Sequence, residues 1–401
     1  MSQPSPYGRL EKISVAAFLV CGVALLAPTL SLGATTTPVD GLVATGEGHS
    51  CSLGLGGLVL CWGRNTLGQL GDGTYKAHNS ALPVSYSPTG SGYASAQSIA
   101  AGADHTCVVG QIGGWVGCWG LNMNRQLGDG TTTTRTRLVD VIGVSGATAV
   151  TAGKAHSCAI VQAGAVKCWG SNTVGQLGDG TILLRKKVVT VSGVTGATAI
   201  AAGVTHTCAI VALGAVKCWG GDLYGQLGDG TATLRRMTPV KVIGLTGATA
   251  IAAGSVHTCA VVAAGAVKCW GANGLGQIGN GGFPMVNRLP VAVTGLSGAT
   301  KVSAGYGHTC ALVSGGAVKC WGGNVSGPLG DGTTVTKKTP VSVLGVTGAK
   351  SISAGYAHTC ISLSSGIGVR CWGANYAGQL GDGTFTLRKT PVVVSGIYPG
   401  N

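Results

Sequence analysis

Charged residues are scarce in this chain, at 9% of 401 residues, and acidic residues are the fewest, with 12 Asp and Glu against 26 Lys and Arg. So few carboxylates argue against calcium sites, which need six or more oxygen ligands. Helix-forming residues are also few, and no stretch repeats its apolar residues with a 3.6-residue period. The sequence therefore predicts an all-β chain. The net charge of +14 favours acidic partners but indicates nothing about the fold.

Glycine and cysteine are plentiful by contrast, with 72 and 15 residues. Apart from Cys21, the cysteines form pairs 10 or 11 positions apart. Between Cys158 and Cys168, two β-prone runs flank a tight turn, so the two cysteines face one another across a hairpin, as a disulfide requires. Zinc is the alternative, although a pair with one nearby His lacks a fourth ligand. The predicted disulfides are Cys51–Cys61, Cys107–Cys118, Cys158–Cys168, Cys208–Cys218, Cys259–Cys269, Cys310–Cys320 and Cys360–Cys371.

Each cysteine pair belongs to a longer repeat. Ala-Gly-x-x-His-Thr-Cys-Ala is followed by Gly-x-Val-x-Cys-Trp-Gly-x-Asn-x-x-Gly-Gln-Leu-Gly-Asp-Gly, seven times, at intervals of about 50 residues. Four short strands per repeat cannot bury their faces alone, but stacked around a ring they can. We predict a seven-bladed β-propeller of four-stranded blades, each with one disulfide and contiguous strands A to D. The approximate blades are 41–86, 97–142, 147–192, 197–243, 248–294, 299–344 and 349–395, within one domain at 35–401.

Residues 1–34 are typical of a secretory signal peptide. Arg9 and Lys12 precede an apolar run from Ile13 to Gly33, which ends in small residues. A retained membrane anchor is the alternative, because about 20 apolar residues can span a bilayer. Paired cysteines fit export, since disulfides persist in oxidising compartments. We expect a secreted or cell-envelope protein, either extracellular or periplasmic.

The repeat motif resembles that of the regulator of chromosome condensation family over roughly residues 41–395. The resemblance implies a seven-bladed propeller and is less informative about function. The cysteine pairs and the leader place the chain nearer to exported bacterial-type members, which include a β-lactamase inhibitor. Resemblance to the nuclear member implies guanine-nucleotide exchange on a small GTPase. That activity depends on a projecting β-wedge, for which the loops here offer no long insertion.

Residues required by every blade are interpreted as structural. The histidines at the start of each strand B are expected to form hydrogen bonds at the corner between strands A and B. The Cys-Trp-Gly tryptophans are expected to pack between blades. Each Gly-Asp-Gly-Thr aspartate is expected to bond its own backbone in a turn. The histidines are His49, His105, His156, His206, His257, His308 and His358, and the aspartates are Asp72, Asp129, Asp179, Asp229, Asp331 and Asp382.

Residues that vary between blades are candidates for binding. Basic residues follow the Gly-Asp-Gly loops and would form a ring on the face that carries the A–B turns and C–D loops. They either protect an outer strand edge from pairing or dock an acidic partner. Six aromatic residues map to the same face. The candidates are Tyr224, Tyr306, Tyr356, Tyr376, Phe283, Phe385, Arg185, Lys186, Lys187, Arg235, Arg236, Arg388 and Lys389.

Two irregular loops add to these candidates. The segment from Tyr75 to Ser98 is longer than its counterparts and contains Tyr86 and Tyr93. Blade 5 replaces the usual loop with residues 281–288. Loops that break a repeat are where function tends to lie.

The sequence thus predicts a monomeric, non-enzymatic, exported binding scaffold that recognises a protein or an anionic envelope polymer through one face. Nucleotide exchange is one alternative and an uncharacterised enzyme is another. Glu47 and Asp104 precede His49 and His105 and could tune the pKa of those imidazoles, but no nucleophile or phosphate-binding loop accompanies them. We expect no cofactor, no metal and no specific nucleic acid.

Overall fold

Seven four-stranded antiparallel sheets make up the fold, as the repeat predicts, and each sheet uses four strands that are consecutive in sequence. The computed structural model describes residues 42–85, 95–282, 284–363 and 368–397. The leader, Tyr86, Tyr93 and Phe283 lie outside the described residues. The seven sheets are the blades of a propeller. Short 3-10 turns join strands B and C at Leu55–Gly57, Gln162–Gly164, Ala212–Gly214 and Ala263–Gly265.

The strands are short and recur at the same places in every blade. The A strands are Val43–Thr45, Ala96–Ala101, Ala149–Ala152, Ala199–Ala202, Ala250–Ala253, Ala299–Ala304 and Ala349–Ala354. The B strands are His49–Leu53, His105–Gly110, His156–Val161, His206–Val211, His257–Val262, His308–Val313 and His358–Leu363. The C strands are Val59–Gly63, Val116–Gly120, Ala165–Gly170, Ala215–Gly221, Ala266–Ala272, Val318–Gly322 and Val369–Gly373. The D strands are His78–Pro83, Arg135–Asp140, Val189–Thr190, Arg235–Lys241, Val286–Ala292, Lys337–Ser342 and Arg388–Val393.

All seven predicted disulfides are present, one in each blade. Each joins directly opposite residues of strands B and C, as Cys158 and Cys168 do in blade 3. Their Cα atoms are 4.1 Å apart, because the two residues form a close cross-strand pair. Every disulfide cysteine is fully buried, so the bridges form part of the core between blades. Disulfides in this number are typical of a protein in an oxidising compartment.

The apolar core lies between neighbouring blades. In one cluster, Ile160, Leu177 and Val191 of blade 3 pack against Ala209 and Trp219 of blade 4. The other clusters repeat this arrangement around the ring. Because the partner surface always belongs to the next blade, a blade cannot complete its core by itself.

A hydrogen-bond network crosses the same interfaces. In the contact of blades 4 and 5, the Thr258 hydroxyl donates to the Gln226 carbonyl oxygen at 2.8 Å and lies 2.9 Å from Nε2 of His206. The indole N–H of Trp270 donates to the same carbonyl at 2.9 Å. A hydroxyl has one hydrogen to give, so His206 must donate from Nε2. The histidines therefore act between blades, and not at the A–B corner as expected.

Every junction carries this pair of residues, including the one that closes the ring. The histidine–hydroxyl pairs are His49–Thr106, His105–Ser157, His156–Thr207, His206–Thr258, His257–Thr309, His308–Thr359 and His358–Ser50. The last pair joins blade 7 to blade 1. The Tyr356 N–H also donates to the Gly46 carbonyl oxygen there, at 3.2 Å. The ring thus closes by packing, without an exchanged strand.

Candidate binding face

The antiparallel strands place the A–B turns and C–D loops at one end of every blade, which we call the A–B/C–D face. Its turns span 46–48, 102–104, 153–155, 203–205, 254–256, 305–307 and 355–357, and its loops span 64–77, 121–134, 171–188, 222–234, 273–285, 323–336 and 374–387. The B–C turns and D–A connections form the B–C/D–A face at the other end. The first of these faces carries the residues singled out from the sequence.

The C–D loops are held by a buried asparagine and by the loop aspartate. In blade 3, Asn172 Nδ2 donates to Asp179 Oδ1 at 3.1 Å and to the Leu183 carbonyl oxygen at 3.2 Å. The Thr181 N–H donates to Asp179 Oδ1 at 3.1 Å, which is the predicted turn contact. Because both ends of the loop are bonded to one side chain, the residues between them are presented on a fixed frame.

Several of the basic candidates are bound to these aspartates. Arg185 lies 2.6 Å from Asp179, and the corresponding pairs Arg236–Asp229 and Arg388–Asp382 both measure 2.8 Å. Arg135–Asp129 at 2.9 Å and Lys337–Asp331 at 3.8 Å repeat the arrangement. These cations hold the loops in place and are electrically compensated. The exposed candidates Lys186, Lys187, Arg235 and Lys389 project beyond them.

Five loop carboxylates have a pKa below the usual value and are ionised at neutral pH: Asp129, Asp179, Asp229, Asp331 and Asp382. Burial by itself raises the pKa of Asp129, but the hydrogen bonds from Thr131, Asn122 and Arg135 outweigh it and leave the pKa below its usual value. Blade 4 differs, because Asp222 stands where other blades have asparagine, so its loop holds two carboxylates and not one. Burial raises the pKa of Asp222 to about 6, and the charge of Asp229 adds to the effect.

Two tyrosines form the most ordered aromatic feature of the face. The rings of Tyr306 and Tyr356 are 4.3 Å apart between centroids and inclined at 35°, and both are about half exposed. Burial raises the pKa of Tyr356, and Tyr306, Glu47 and Tyr376 raise it further. The ring contact joins blades 6 and 7 at this point, which sequence spacing alone did not reveal.

The same tyrosines line the mouth of a central channel with a volume of about 640 Å³. The channel wall consists of A strands and is built mainly from small and aliphatic residues. The residue that follows the glycine of each A–B turn forms the rim and is the same in blades 6 and 7 alone: Glu47, Ala103, Lys154, Val204, Ser255, Tyr306 and Tyr356. The mouth is therefore aromatic on one side and not on the other.

The other aromatic candidates are exposed in the C–D loops. Tyr376 and Phe385 of blade 7 are 61% and 59% exposed, and Tyr224 of blade 4 is 40% exposed. Single exposed rings are normal on a protein surface, but exposed rings that share a face with further apolar side chains mark an interaction site. Phe283 lies outside the described residues.

Aliphatic side chains at equivalent loop positions were missed by the sequence analysis. They occupy the variable positions of Asn-x-x-Gly and those just after Gly-Asp-Gly-Thr, where solvent-facing polar residues are normal. The apolar character of these loop positions is the sequence feature that could have identified them as candidate contact residues. The most exposed are Met123, Leu183, Leu234, Met285 and Val325, with exposures of 61% to 82%. Most large exposed apolar side chains among the described residues lie on the A–B/C–D face.

The acidic residues near the repeat histidines have a different role from the one considered. Asp104 lies 2.6 Å from Arg64, and Glu47 lies 3.7 Å from the same guanidinium. The pKa of His49 falls to about 3, mainly through burial and then through the charge of Arg64. The imidazoles are neutral and buried, so they are poorly suited to proton transfer with a substrate.

Membership of a known repeat family is visible along most of the chain. The regulator of chromosome condensation (RCC1) repeat matches residues 56–109, 163–210, 214–261, 264–312 and 316–362. A second description of the same repeat matches 42–69, 147–176, 197–226, 248–277, 299–327 and 349–379. Among the described residues, no helix has both the length and the apolar character needed to cross a membrane.

Similar proteins differ widely in size and role. The chain is 31% identical over 364 residues to the ultraviolet-B receptor UVR8 of Arabidopsis thaliana, covering 89% of this chain and 82% of the receptor. It is 36% identical over 100 residues to the human E3 ubiquitin-protein ligase HERC2, covering 24% of this chain and 2% of the ligase. The chain thus spans a small fraction of that relative.

Solved structures show the same fold at low identity. Human WBSCR16 superposes with a TM-score of 0.74 at 21% identity, covering 84% of this chain and 94% of that one. Prp20p of Saccharomyces cerevisiae superposes with a TM-score of 0.73 at 20% identity, covering 89% and 88%. At these identities the comparison supports the propeller and carries no functional assignment.

Proposed function

Since the chain belongs to the RCC1 repeat family, we propose that it is an exported, non-enzymatic scaffold that binds a protein partner through the A–B/C–D face. The observation that carries this proposal is the concentration of exposed aromatic and aliphatic side chains on that face. Interface centres are enriched in aromatic residues and methionine, and depleted in charge. Seven disulfides support the exported location.

The division of labour between residues supports a binding role. The histidines and tryptophans are bonded between blades, and most loop aspartates are bonded to a basic residue of their own loop. The residues left facing solvent are those that differ from blade to blade, such as Tyr376, Phe385 and Met123. A rigid ring that presents variable loops is suited to recognition of one large surface.

An anionic envelope polymer is the second candidate partner for this face. It is favoured by the exposed Lys186, Lys187, Arg235 and Lys389 beside the apolar loops. It is weakened by the ion pairs that compensate Arg185, Arg236 and Arg388. Salt dependence separates the two, because screening weakens attraction to a polymer far more than contact between apolar surfaces.

The test is affinity capture from the exported fraction with the unmodified protein and with Tyr376→Ala/Phe385→Ala. We expect the unmodified protein to retain a defined partner protein. The double variant should bind that partner about a hundredfold more weakly, because buried aromatic anchors dominate interface energies. A polymer partner predicts instead that Lys186→Glu/Lys187→Glu abolishes capture and that moderate salt does the same.

The matched control is Leu213→Ala on the opposite face, where Leu213 is 96% exposed. Alanine is compatible with this turn, because Ala163 occupies the same position in blade 3. It should capture the partner as the unmodified protein does. Equal capture by the aromatic double variant and the unmodified protein would remove the proposal.

A further inference from the structure

The B–C/D–A face carries nearly uncompensated positive charge. Its cations lie at the middle of strand C or next to the D–A connections: Lys167, Lys217, Lys241, Lys268, Lys301, Lys319, Lys350 and Arg370. In the described part of the chain, Asp140 is the acidic residue at this end. Every ion pair among the described residues belongs to the A–B/C–D face. The A–B/C–D end has twice as many cations, 16 against 8, but it also has nine of the ten described carboxylates, so cations are paired with carboxylates there and not on the B–C/D–A face.

Like charges are placed side by side on this face. Lys217 and Lys241 are directly opposite one another on strands C and D of blade 4. Lys301 donates to the carbonyl oxygen of Lys350 at 2.8 Å, and burial followed by the charge of Lys350 lowers the pKa of Lys301. Opposed like charges destabilise a sheet, so their presence without a nearby carboxylate indicates an external anion.

The D–A connections place aliphatic side chains beside these cations. Ile142, Ile243 and Leu344 are 64%, 52% and 51% exposed at the tips of alternate connections, on the side where each also touches the Gly-Asp-Gly turn of its own blade. The next residue of each tip accepts a hydrogen bond from a cation of the following blade. The pairs are Lys167 with Gly143 at 2.7 Å, Lys268 with Gly244 at 3.3 Å and Arg370 with Gly345 at 3.0 Å. Each exposed aliphatic tip thus has a cation held within one residue of it.

The B–C turns extend the same pattern. Ile112 is 85% exposed, and Leu213 is 96% exposed. Leu213 has φ of 60°, a left-handed conformation that is unfavourable for leucine. Protruding aliphatic side chains next to cations are the combination that binds an anionic bilayer, with the tips entering the interface and the cations at the phosphate level.

We propose that the B–C/D–A face docks on an anionic lipid bilayer, leaving the A–B/C–D face directed away from it. A soluble acidic polymer would satisfy the lysines but would leave the aliphatic tips in water. This inference uses the face opposite to the proposed protein site and does not depend on it.

The test is sedimentation with vesicles of phosphatidylcholine alone and of phosphatidylcholine mixed with phosphatidylglycerol. We expect binding to the mixed vesicles and little to the neutral ones. Lys167→Gln/Lys268→Gln should weaken it by roughly fivefold for each cation removed. Ile142→Ser/Ile243→Ser should weaken it by about tenfold or more, because the inserted side chains are lost.

The repeat supplies matched controls that keep the fold. Serine already occupies the tip position in blade 3, at Ser192, so the serine variants have a natural precedent, and Ser192→Ile should strengthen binding. Lys186→Gln/Lys389→Gln on the other face should leave vesicle binding unchanged. The partner capture described above should be unaffected by the tip variants, so the two proposals can fail separately.

Two results would overturn the assignment. One is equal binding to neutral and mixed vesicles. The other is unchanged vesicle binding by the serine variants together with full displacement by soluble polyglutamate, which would indicate that the face recognises charge alone.

Discussion

Asp222 stands at a C–D loop position where the other blades have asparagine. It puts a carboxylate oxygen, which accepts hydrogen bonds, where the asparagine amide nitrogen donates them. In blade 3, the Asn172 amide nitrogen at this place has two hydrogens to donate and four acceptors within 3.4 Å, including Asp179. Asp222 keeps the contact that the asparagine oxygen makes, since it accepts from the Leu227 N–H at 3.0 Å. Burial favours the neutral acid, the charge of Asp229 in the same loop adds to this, and the pKa of Asp222 rises to about 6. Blade 4 should therefore have the most pH-sensitive C–D loop.

Asp222→Asn should stabilise the protein at neutral pH. A carboxyl whose pKa is raised in the folded state contributes most below its unfolded pKa, and that contribution is lost as pH rises through 6. The substitution should raise the free energy of unfolding by roughly 2 kcal/mol at pH 8 and by much less at pH 4. Urea unfolding at the two pH values measures the difference.

The reciprocal change supplies the control. Asn172→Asp should create the same pH dependence in blade 3, where the unmodified loop has none of this origin. Asp140→Asn, at an exposed carboxylate, should change neither value. A gain from Asp222→Asn that is equal at pH 4 and pH 8 would contradict the argument.

At the scale of the blade interface, the hydroxyl that links two blades is the most sensitive group. Thr258 donates to the Gln226 carbonyl and accepts from His206. Thr258→Val keeps the shape of the side chain. It leaves the buried Nε2–H of His206 without its acceptor and the Gln226 carbonyl without the hydroxyl donor. The loss should be about 2 to 4 kcal/mol in the free energy of unfolding, measured by denaturant unfolding.

Thr258→Ser is the matched variant, because serine fills this position naturally at Ser50 and Ser157. It should cost about 1 kcal/mol or less, through the missing methyl group. Equal losses for valine and serine would show that packing, and not the hydrogen bonds, decides this position.

Much of each blade was predictable because local chemistry and periodicity agree there. In blade 3, the order of strands A to D was predicted, and the pairing of Cys158 with Cys168 followed from the turn between them. Contacts between blades were less accessible, because they join residues about 50 positions apart. The bond from His206 to Thr258 is one case, and the meeting of Tyr306 with Tyr356 is another.

The basic ring illustrates the limit most clearly. Sequence spacing placed Arg185 beside Lys186 and Lys187 as one cationic cluster. The structure turns Arg185 inward to Asp179 and leaves the two lysines exposed, because the loop aspartate offers its carboxylate to Arg185 alone among these cations. Which of three neighbouring cations is available to a partner depends on the path of the C–D loop, and that was not visible in the sequence.

For the whole molecule, the seven buried histidines make acid stability a collective property. Burial lowers the pKa of each from 6.5 to about 3 or about 4, so the folded ring keeps them neutral at pH 5. The unfolded chain binds protons at these side chains near pH 6.5. Stability should therefore fall as pH drops from about 6.5 toward 4, with up to seven protons taken up on unfolding.

Loop aspartates cannot produce the same profile. Burial raises the pKa of Asp179, but hydrogen bonds from Thr181 and Arg185 lower it more strongly. The pKa of Asp179 therefore lies below its usual value. Its contribution is lost only as pH falls below about 4. Asp222 does titrate in this range, so urea midpoints measured between pH 7 and pH 4.5 on the Asp222→Asn variant isolate the histidines. A flat profile over that range would mean that the imidazoles are already protonated in the folded ring. That result would contradict their assignment as neutral groups, because burial without a neighbouring carboxylate disfavours a charged imidazole.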